Sequence, residues 1–279
     1  MATPLALPPE LAAGEAIAHP AFDPLQPWLA KLGHSPDLEE LNELASASKT
    51  PPVTASGLPV SFCAPALGGG RHYEQRVFDT GQVGTRPGNL HDLFNALAWM
   101  AFPRTKAAIN ARHVNCLPFE GKVRGPLRDL LTLVDEGGVI VACGKDYLAD
   151  FELLVREFRW GELFWERRAQ LLAGSRFVLV GHSAYEKALS PYAGITCKAL
   201  FLPVAPSLLE ASPAELVERL DADASEWIGE LPADASPRRL PPLPVFGYPG
   251  WLPDSDRPDF YADRRWFRPA PAGKLERAT

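Results

Sequence analysis

Residues 90–102 (LHDLFNALAWMAF) are apolar at nearly every position, and only His91, Asp92 and Asn95 break the run. That pattern predicts a helix buried on most sides. Asn89 is a natural N-cap, and Asp92, three positions on, completes a capping-box-like pair. Pro103 ends the helix, because proline lacks an N–H and disfavours helical geometry in the residue before it. The same proline suits the first position of a second helix, running to about residue 113. On that second helix Lys106, Asn110 and His113 fall at i, i+4 and i+7, which is one face. Two helices meeting at a Phe–Pro corner turn two polar stripes toward one crevice, and the candidate site is placed there.

The remaining pattern fills in the fold. Short helices are predicted at 22–32 and 36–47 with Gly33 between them, and a short strand at 59–63 after a proline-rich stretch. An amphipathic helix follows at 126–134. The run GVIVAC at 138–143 is short, apolar and β-branched, hence a buried strand. Residues 146–172 read as two amphipathic helices broken near Gly161, and 177–180 as a second buried strand. Gly181-His182-Ser183 then opens a short helix to about residue 189. A third strand is predicted at 196–204, and one or two amphipathic helices at 207–232. Strand, helices, strand, helix, strand between 138 and 204 makes a small mixed sheet. The fold class is therefore α+β, a predominantly helical single domain over 1–279. A proline-rich segment opens it at about 1–20. An aromatic, proline-rich arm at about 236–279 closes it, and is expected to pack on the core because it would be insoluble if loose.

Composition narrows the function classes. Of 279 residues, 46% are hydrophobic and 22% charged, ordinary values for a globular protein. A net charge of −6 argues against a broad nucleic-acid-binding surface, which needs a basic patch. Cys63, Cys116, Cys143 and Cys197 are widely spaced with no CxxC pair; this fits free thiols in a reducing cytoplasm better than a disulfide framework or zinc knuckle. The first twenty residues lack the basic and long apolar regions of a signal peptide. No apolar run is long enough for a membrane span.

Several motifs invite chemistry. VLVGHSAY at 178–185 resembles a nucleophile elbow with Ser183 as nucleophile. Tyr185 stands in place of the second glycine, however, and no histidine follows His182. The preferred reading is a strand feeding a helix that Ser183 caps, with His182 facing a cleft. Gly68-Gly69-Gly70 before Arg71 lacks phosphate-loop spacing. Asp135-Glu136 are either plain turn residues or the source of a carboxylate. Arg156, Arg159, Arg167 and Arg168 alternate with Glu152, Glu157, Glu162 and Glu166, so intrahelical ion pairs account for that stretch.

These blocks resemble a proteobacterial family, the domain of unknown function 3025. The resemblance rests on TRPGNLHDLFNALAWMAFPRTKAAINARH at 85–113, VDEGGVIVA at 134–142 and FVLVGHSAYEKALSPYAGITCKALFL at 177–202. PLPVFGYPGW and PDFYADRRWFRP near the C-terminus add to it. Leu90 stands where tryptophan is more usual, and Cys197 where a small residue is. The resemblance implies one domain, a bacterial cytoplasmic setting and a focus on His91, Asp92, Asn95, His113, Asp135, Glu136, His182 and Glu186, without assigning any of them a role.

Two readings follow. In the first the protein is a metal-assisted hydrolase acting on a small anionic substrate such as a phosphate ester. His91, Asp92, His113, Glu136 and His182 are then catalytic, with His91, Asp92 and His113 holding zinc, manganese or iron. Arg86, Asn95, Lys106, Asn110 and Ser183 contact the substrate. In the second, the protein is a non-enzymatic binding protein, and the same buried polar groups are structural. Convergence of the histidines in space decides between them.

Overall fold

The computed structural model describes residues 18–33, 36–65, 72–121 and 123–270. The Gly68-Gly69-Gly70-Arg71 stretch and most of the N-terminal proline-rich segment lie outside the described residues. Nine helices matter to the site and its support: α1 (Leu38–Ser46), α2 (Tyr73–Thr80), α3 (Leu90–Ala101), α4 (Pro103–Cys116), α5 (Pro126–Gly137), α6 (Lys145–Arg156), α7 (Arg168–Gly174), α8 (His182–Ala188) and α9 (Pro213–Glu230). Six strands accompany them: β1 (Ser61–Cys63), β2 (Gln82–Gly84), β3 (Gly138–Gly144), β4 (Ser175–Leu179), β5 (Cys197–Val204) and β6 (Pro242–Leu243). The fold is helical α+β. The expected helix at 22–32 is instead a 3-10 segment, Pro20–Leu25, followed by one helical turn, Gln26–Leu29; Pro24 and Pro27 each remove an N–H from it. Helix α2 and strand β2 were not foreseen.

The Phe–Pro corner forms as its sequence dictates. Asn89 caps α3, its side chain accepting from the Asp92 N–H at 3.0 Å. The reciprocal half of a capping box is missing, because the Asp92 carboxylate accepts from Arg86 instead. Phe102 opens α4 with no cap of its own. Asp221 of α9 supplies one, accepting from the Arg104 and Thr105 N–H groups at 3.1 and 2.8 Å. Thr105 Oγ1 returns a bond to the Asp221 carbonyl at 3.1 Å, which pins α9 across the start of α4.

Strand β3 is buried along its whole length. It lies between β4, antiparallel, and β5, parallel, with β6 antiparallel on the far side of β5. Helix α5 runs directly into β3, three residues beyond the expected end at 134. Asp135 and Glu136 are therefore in the last turn of a helix, not in a loop. Where β4 turns into α8, the Val180 and Gly181 N–H groups both donate to the Gly138 carbonyl at 3.0 Å. A Cβ at Gly181 would meet the backbone N of Gly138 at 2.4 Å and that of Gly137 at 2.5 Å. Only glycine permits this approach, which sets the first residue of α8, His182, beside the end of α5. Gly181, not Ser183, is the N-cap of α8.

The break between α6 and α7 falls at Phe158, whose φ is +60°, and not at Gly161, which is helical. A π turn, Glu162–Glu166, follows. Arg156 pairs with Glu152, Arg159 with Glu157 and Glu162, Arg167 with Glu162 and Asp150, and Arg168 with Asp256. The C-terminal aromatics Phe246, Tyr248, Trp251, Phe260, Tyr261 and Phe267 are buried. Tyr261 and Phe267 pack on Phe164, and Tyr248 and Trp251 on Phe177. Trp160 Nε1 donates to the Arg268 carbonyl at 2.7 Å. Phe22, Phe94 and Tyr185 pack together, which docks α8 on α3.

Candidate active site

Four helices each give one stripe of side chains to a cavity of about 360 Å³. From α3 come His91, Asp92, Asn95 and Trp99, and from α4 Lys106, Ile109, Asn110 and His113. Helix α5 gives Arg128, Thr132, Asp135 and Glu136, and the start of α2 gives Tyr73 and Glu74. Val77 of α2, Gly84 of β2, His72, Arg86, Arg124 and His182 complete the wall. The α4 stripe keeps the i, i+3, i+4, i+7 spacing of a single helical face. The volume suits a small molecule. A second cavity of about 370 Å³, lined by Trp28, Lys31, Lys49, Arg104 and Glu218 among others, holds none of the candidate residues.

Two histidines meet at the edge of the cavity nearest α8. The Nε2 atoms of His91 and His182 lie 3.1 Å apart, with the rings nearly perpendicular at a centroid separation of 4.5 Å. On its far side His91 Nδ1 faces Glu186 Oε2 at 3.3 Å. His182 Nδ1 faces Asp135 Oδ2 at 3.7 Å, within ion-pair reach but too far for a hydrogen bond; the Asp135 backbone also pulls on this ring, and no well-formed hydrogen bond reaches Nδ1 among the described residues. Glu136 brings a carboxylate oxygen so that all three ligand atoms, from His91, Glu136 and His182, lie within 4.8 Å of one another. The 3.1 Å contact puts a proton on one of the two Nε2 atoms; with an ion bound between them, the carboxylate behind each ring would take that proton at Nδ1 and free both Nε2 lone pairs, as in carboxylate–histidine–metal arrangements. Ligands bound to one ion at about 2.0–2.1 Å and 90–109° apart stand roughly 2.9–3.4 Å from each other. The observed Nε2 separation is within that range, so the two histidines fit a shared divalent cation, with the Glu136 carboxylate close enough to join them. Burial, and behind it Lys106, hold the His182 ring down at about 4, against the pull of Asp135. It is therefore neutral near pH 7, the form that ligates a metal.

The floor of the cavity is a polar chain. Buried Lys106 donates to Asp135 Oδ1 and, at 2.8 Å, to Asn95 Oδ1, and its Nζ sits 5.6 Å from the centre of the Trp99 ring. Burial works against the Asp135 carboxylate, but Lys106, then His182 and His113, outweigh it and keep that carboxyl below the usual range. Asp92 is held low in the same way: burial opposes ionisation, and three hydrogen bonds from Arg86 overcome it.

A second cluster surrounds Arg128. Its Nε donates to His113 Nδ1 at 3.1 Å, one Nη to Glu120 Oε2 at 2.8 Å, and the other reaches His72 Nε2 at 3.1 Å. Because His113 accepts at Nδ1, its proton is on Nε2. Burial, followed by Arg128 and Arg124, lowers this histidine to about 4 although Asp135 pulls the other way. Nearby, Asn110 Nδ2 donates to the Glu74 carbonyl at 2.9 Å and to Glu74 Oε2 at 2.7 Å. Burial is the main cause that raises Glu74 to about 7. Asn110 Oδ1 is buried without a donor.

Of the residues expected at the site, His91, Asp92, Asn95, Lys106, Asn110, His113, Glu136, His182 and Arg86 all line this cavity. They do not form one constellation. His91, Glu136 and His182 converge, Asp92 is clamped to Arg86, and His113 belongs to the Arg128 cluster. Ser183 is not among the described residues that line the cavity. The sequence reading missed Glu74, His72, Arg124 and Arg128. The signal for Arg128 was present, since Arg128, Thr132, Asp135 and Glu136 form one stripe once α5 extends to residue 137. Glu74 sits on a helix that the pattern did not reveal.

A helical α+β fold with a polar cavity walled mainly by helices defines the class of protein. A family model described as protein of unknown function (DUF3025) matches residues 61–271, and the chain belongs to that family. The match spans every residue of the cavity. No curated protein and no solved structure matches the chain.

Proposed function

We propose that this protein is a metal-dependent hydrolase acting on a small anionic substrate of the phosphate-ester kind. The observation that carries the reading is the pair of inward-facing Nε2 atoms on His91 and His182, each ring backed by a carboxylate. Glu136 completes a two-histidine, one-carboxylate set of the type used by zinc and by non-haem iron. A divalent ion bound there supplies Lewis-acid activation of water toward an ester. Glu186 and Asp135 orient the two rings, and Lys106 fixes Asp135 in turn. A cytoplasmic setting is part of the proposal, supported by the four free cysteines and by the absence, among the described residues, of any helix long and apolar enough to cross a membrane.

The test is metal content by mass spectrometry on tag-free protein loaded with zinc, manganese or iron, beside His182→Ala. Hydrolysis of p-nitrophenyl phosphate is measured on the same samples. Near-stoichiometric metal that falls in the variant together with hydrolysis supports the proposal. Folded wild-type protein that takes up none of the three metals overturns it and leaves the binding-protein reading.

A further inference from the structure

The arginine–histidine cluster is the part of the cavity that the metal-centred reading leaves unused. Arg128 stands eight positions before Glu136 on α5, about 12 Å along the axis at 1.5 Å per residue. The two ends of one helix thus mark two ends of one cavity. Arg124, Arg128, His72 and His113 all line it, and among the described residues only Glu120 makes an ion pair with either arginine. Arg128 uses one N–H from each of its three nitrogens, which leaves two of five free. Arg124 gives one bond to Thr132 Oγ1 at 2.8 Å. The protonated Nε2 of His113 has no acceptor among the described residues. Lys106 and Arg86, the cations first expected to hold an anion, are neutralised by Asp135 and Asp92.

Two further features say what kind of anion fits. Buried Asn110 presents an Oδ1 that lacks a donor, so the ligand has to donate one hydrogen bond as well as accept several. Glu74, raised to about 7, is only about half ionised at neutral pH and repels an anion less than an ordinary glutamate. A phosphate group bearing one O–H accepts from the arginines and donates to Asn110. Sulfate can only accept.

We propose that Arg124, Arg128 and His113, together with Asn110, form a subsite for a phosphate group carrying an O–H, separate from the His91–Glu136–His182 cluster. Resting on the hydrolase reading, the substrate is then bifunctional: a phosphate anchor at this end, bound as the monoanion that keeps one O–H, and the scissile bond at the other. Free hydrogen phosphate offers the same chemistry.

The experiment is calorimetric titration of inorganic phosphate, and of sulfate, into chelator-treated protein. The variants are Arg124→Gln, whose side chain is exposed, and His113→Gln, with folding checked by circular dichroism. The expected result is saturable one-to-one phosphate binding in the millimolar range or tighter, about tenfold weaker in Arg124→Gln and weaker for sulfate. Absence of saturable binding in the chelated wild type overturns the subsite, as does equal affinity in Arg124→Gln. Should His113→Gln fail to fold, Arg124→Gln alone decides. Phosphate that binds only after metal is restored sits at the metal: the subsite then falls and the hydrolase reading survives. Phosphate binding by protein that takes up no metal retains the subsite and ends the hydrolase reading. A phosphomonoester with a second ester group that binds in competition with inorganic phosphate identifies a substrate anchor. Its failure to compete leaves free phosphate as the ligand and overturns the bifunctional substrate.

Discussion

His91 and His182 face each other Nε2 to Nε2 at 3.1 Å, although ninety-one positions separate them in the chain. Each ring has an acid behind it, and Glu186 is the more exposed of the two. Glu186→Gln keeps the shape of that acceptor and removes its charge. The expected outcome is zinc affinity about 10- to 100-fold weaker with little change in melting temperature, read by competition with a chromogenic chelator. Unchanged affinity would show that Glu186 does not support His91.

Gly181→Ala forces a methyl group against the backbone of Gly137 and Gly138. It is expected to cost about 1–3 kcal/mol in urea denaturation and to displace His182 from Glu136, so that metal uptake falls too. Gly229, on α9 with open space around it, is the control. Its replacement by alanine should stabilise the helix by roughly 0.5–1 kcal/mol.

Acid sensitivity has two opposed contributions. His113 is lowered from 6.5 to about 4. The folded protein therefore resists a proton that the unfolded chain accepts, and stability is lost as pH falls from about 6.5 toward 4. The loss reaches at most ~3 kcal/mol. Glu74 is raised from 4.5 to about 7, so its effect has the other sign and stability is lost as pH rises through that interval. Urea denaturation between pH 4.5 and 7.5 should show a flatter acid limb in His113→Gln. Glu74→Gln should be more stable than wild type at pH 7.5, by ~1–2 kcal/mol after solvent screening, with the difference vanishing near pH 4.5. Parallel curves for all three proteins would refute both assignments.

Asp221→Ala removes the cap of α4 and leaves the Arg104 and Thr105 N–H groups without their acceptor. A loss of about 1–3 kcal/mol is expected, measured by chemical denaturation. Since α4 carries Lys106, Asn110 and His113, the start of that helix should also lose amide-exchange protection.

The reach of local pattern is visible element by element. Asn89, the apolar run to Phe102 and Pro103 specify α3 and the corner, because cap, periodicity and helix breaker act within a few residues. GVIVAC specifies a buried strand for the same reason. Local pattern fails at Pro24 and Pro27, which turn an expected helix into a 3-10 segment, and at Phe158, where packing imposes a left-handed backbone that Gly161 seemed better suited to supply. It also leaves α4 uncapped, since the cap arrives from Asp221, 116 positions beyond Thr105.

The sequence by itself determined which side chains are chemically equipped, and that the α3–α4 corner turns them toward one crevice. Helical spacing is a local property and can be counted. Tertiary structure alone decided how those side chains are grouped. It joined His91 to His182 and Glu136 through a close backbone approach at Gly181, bound Asp92 to Arg86, and assigned His113 to Arg128. Such groupings depend on distances between elements far apart in the chain, and those are fixed only when β3, β4 and α8 pack together.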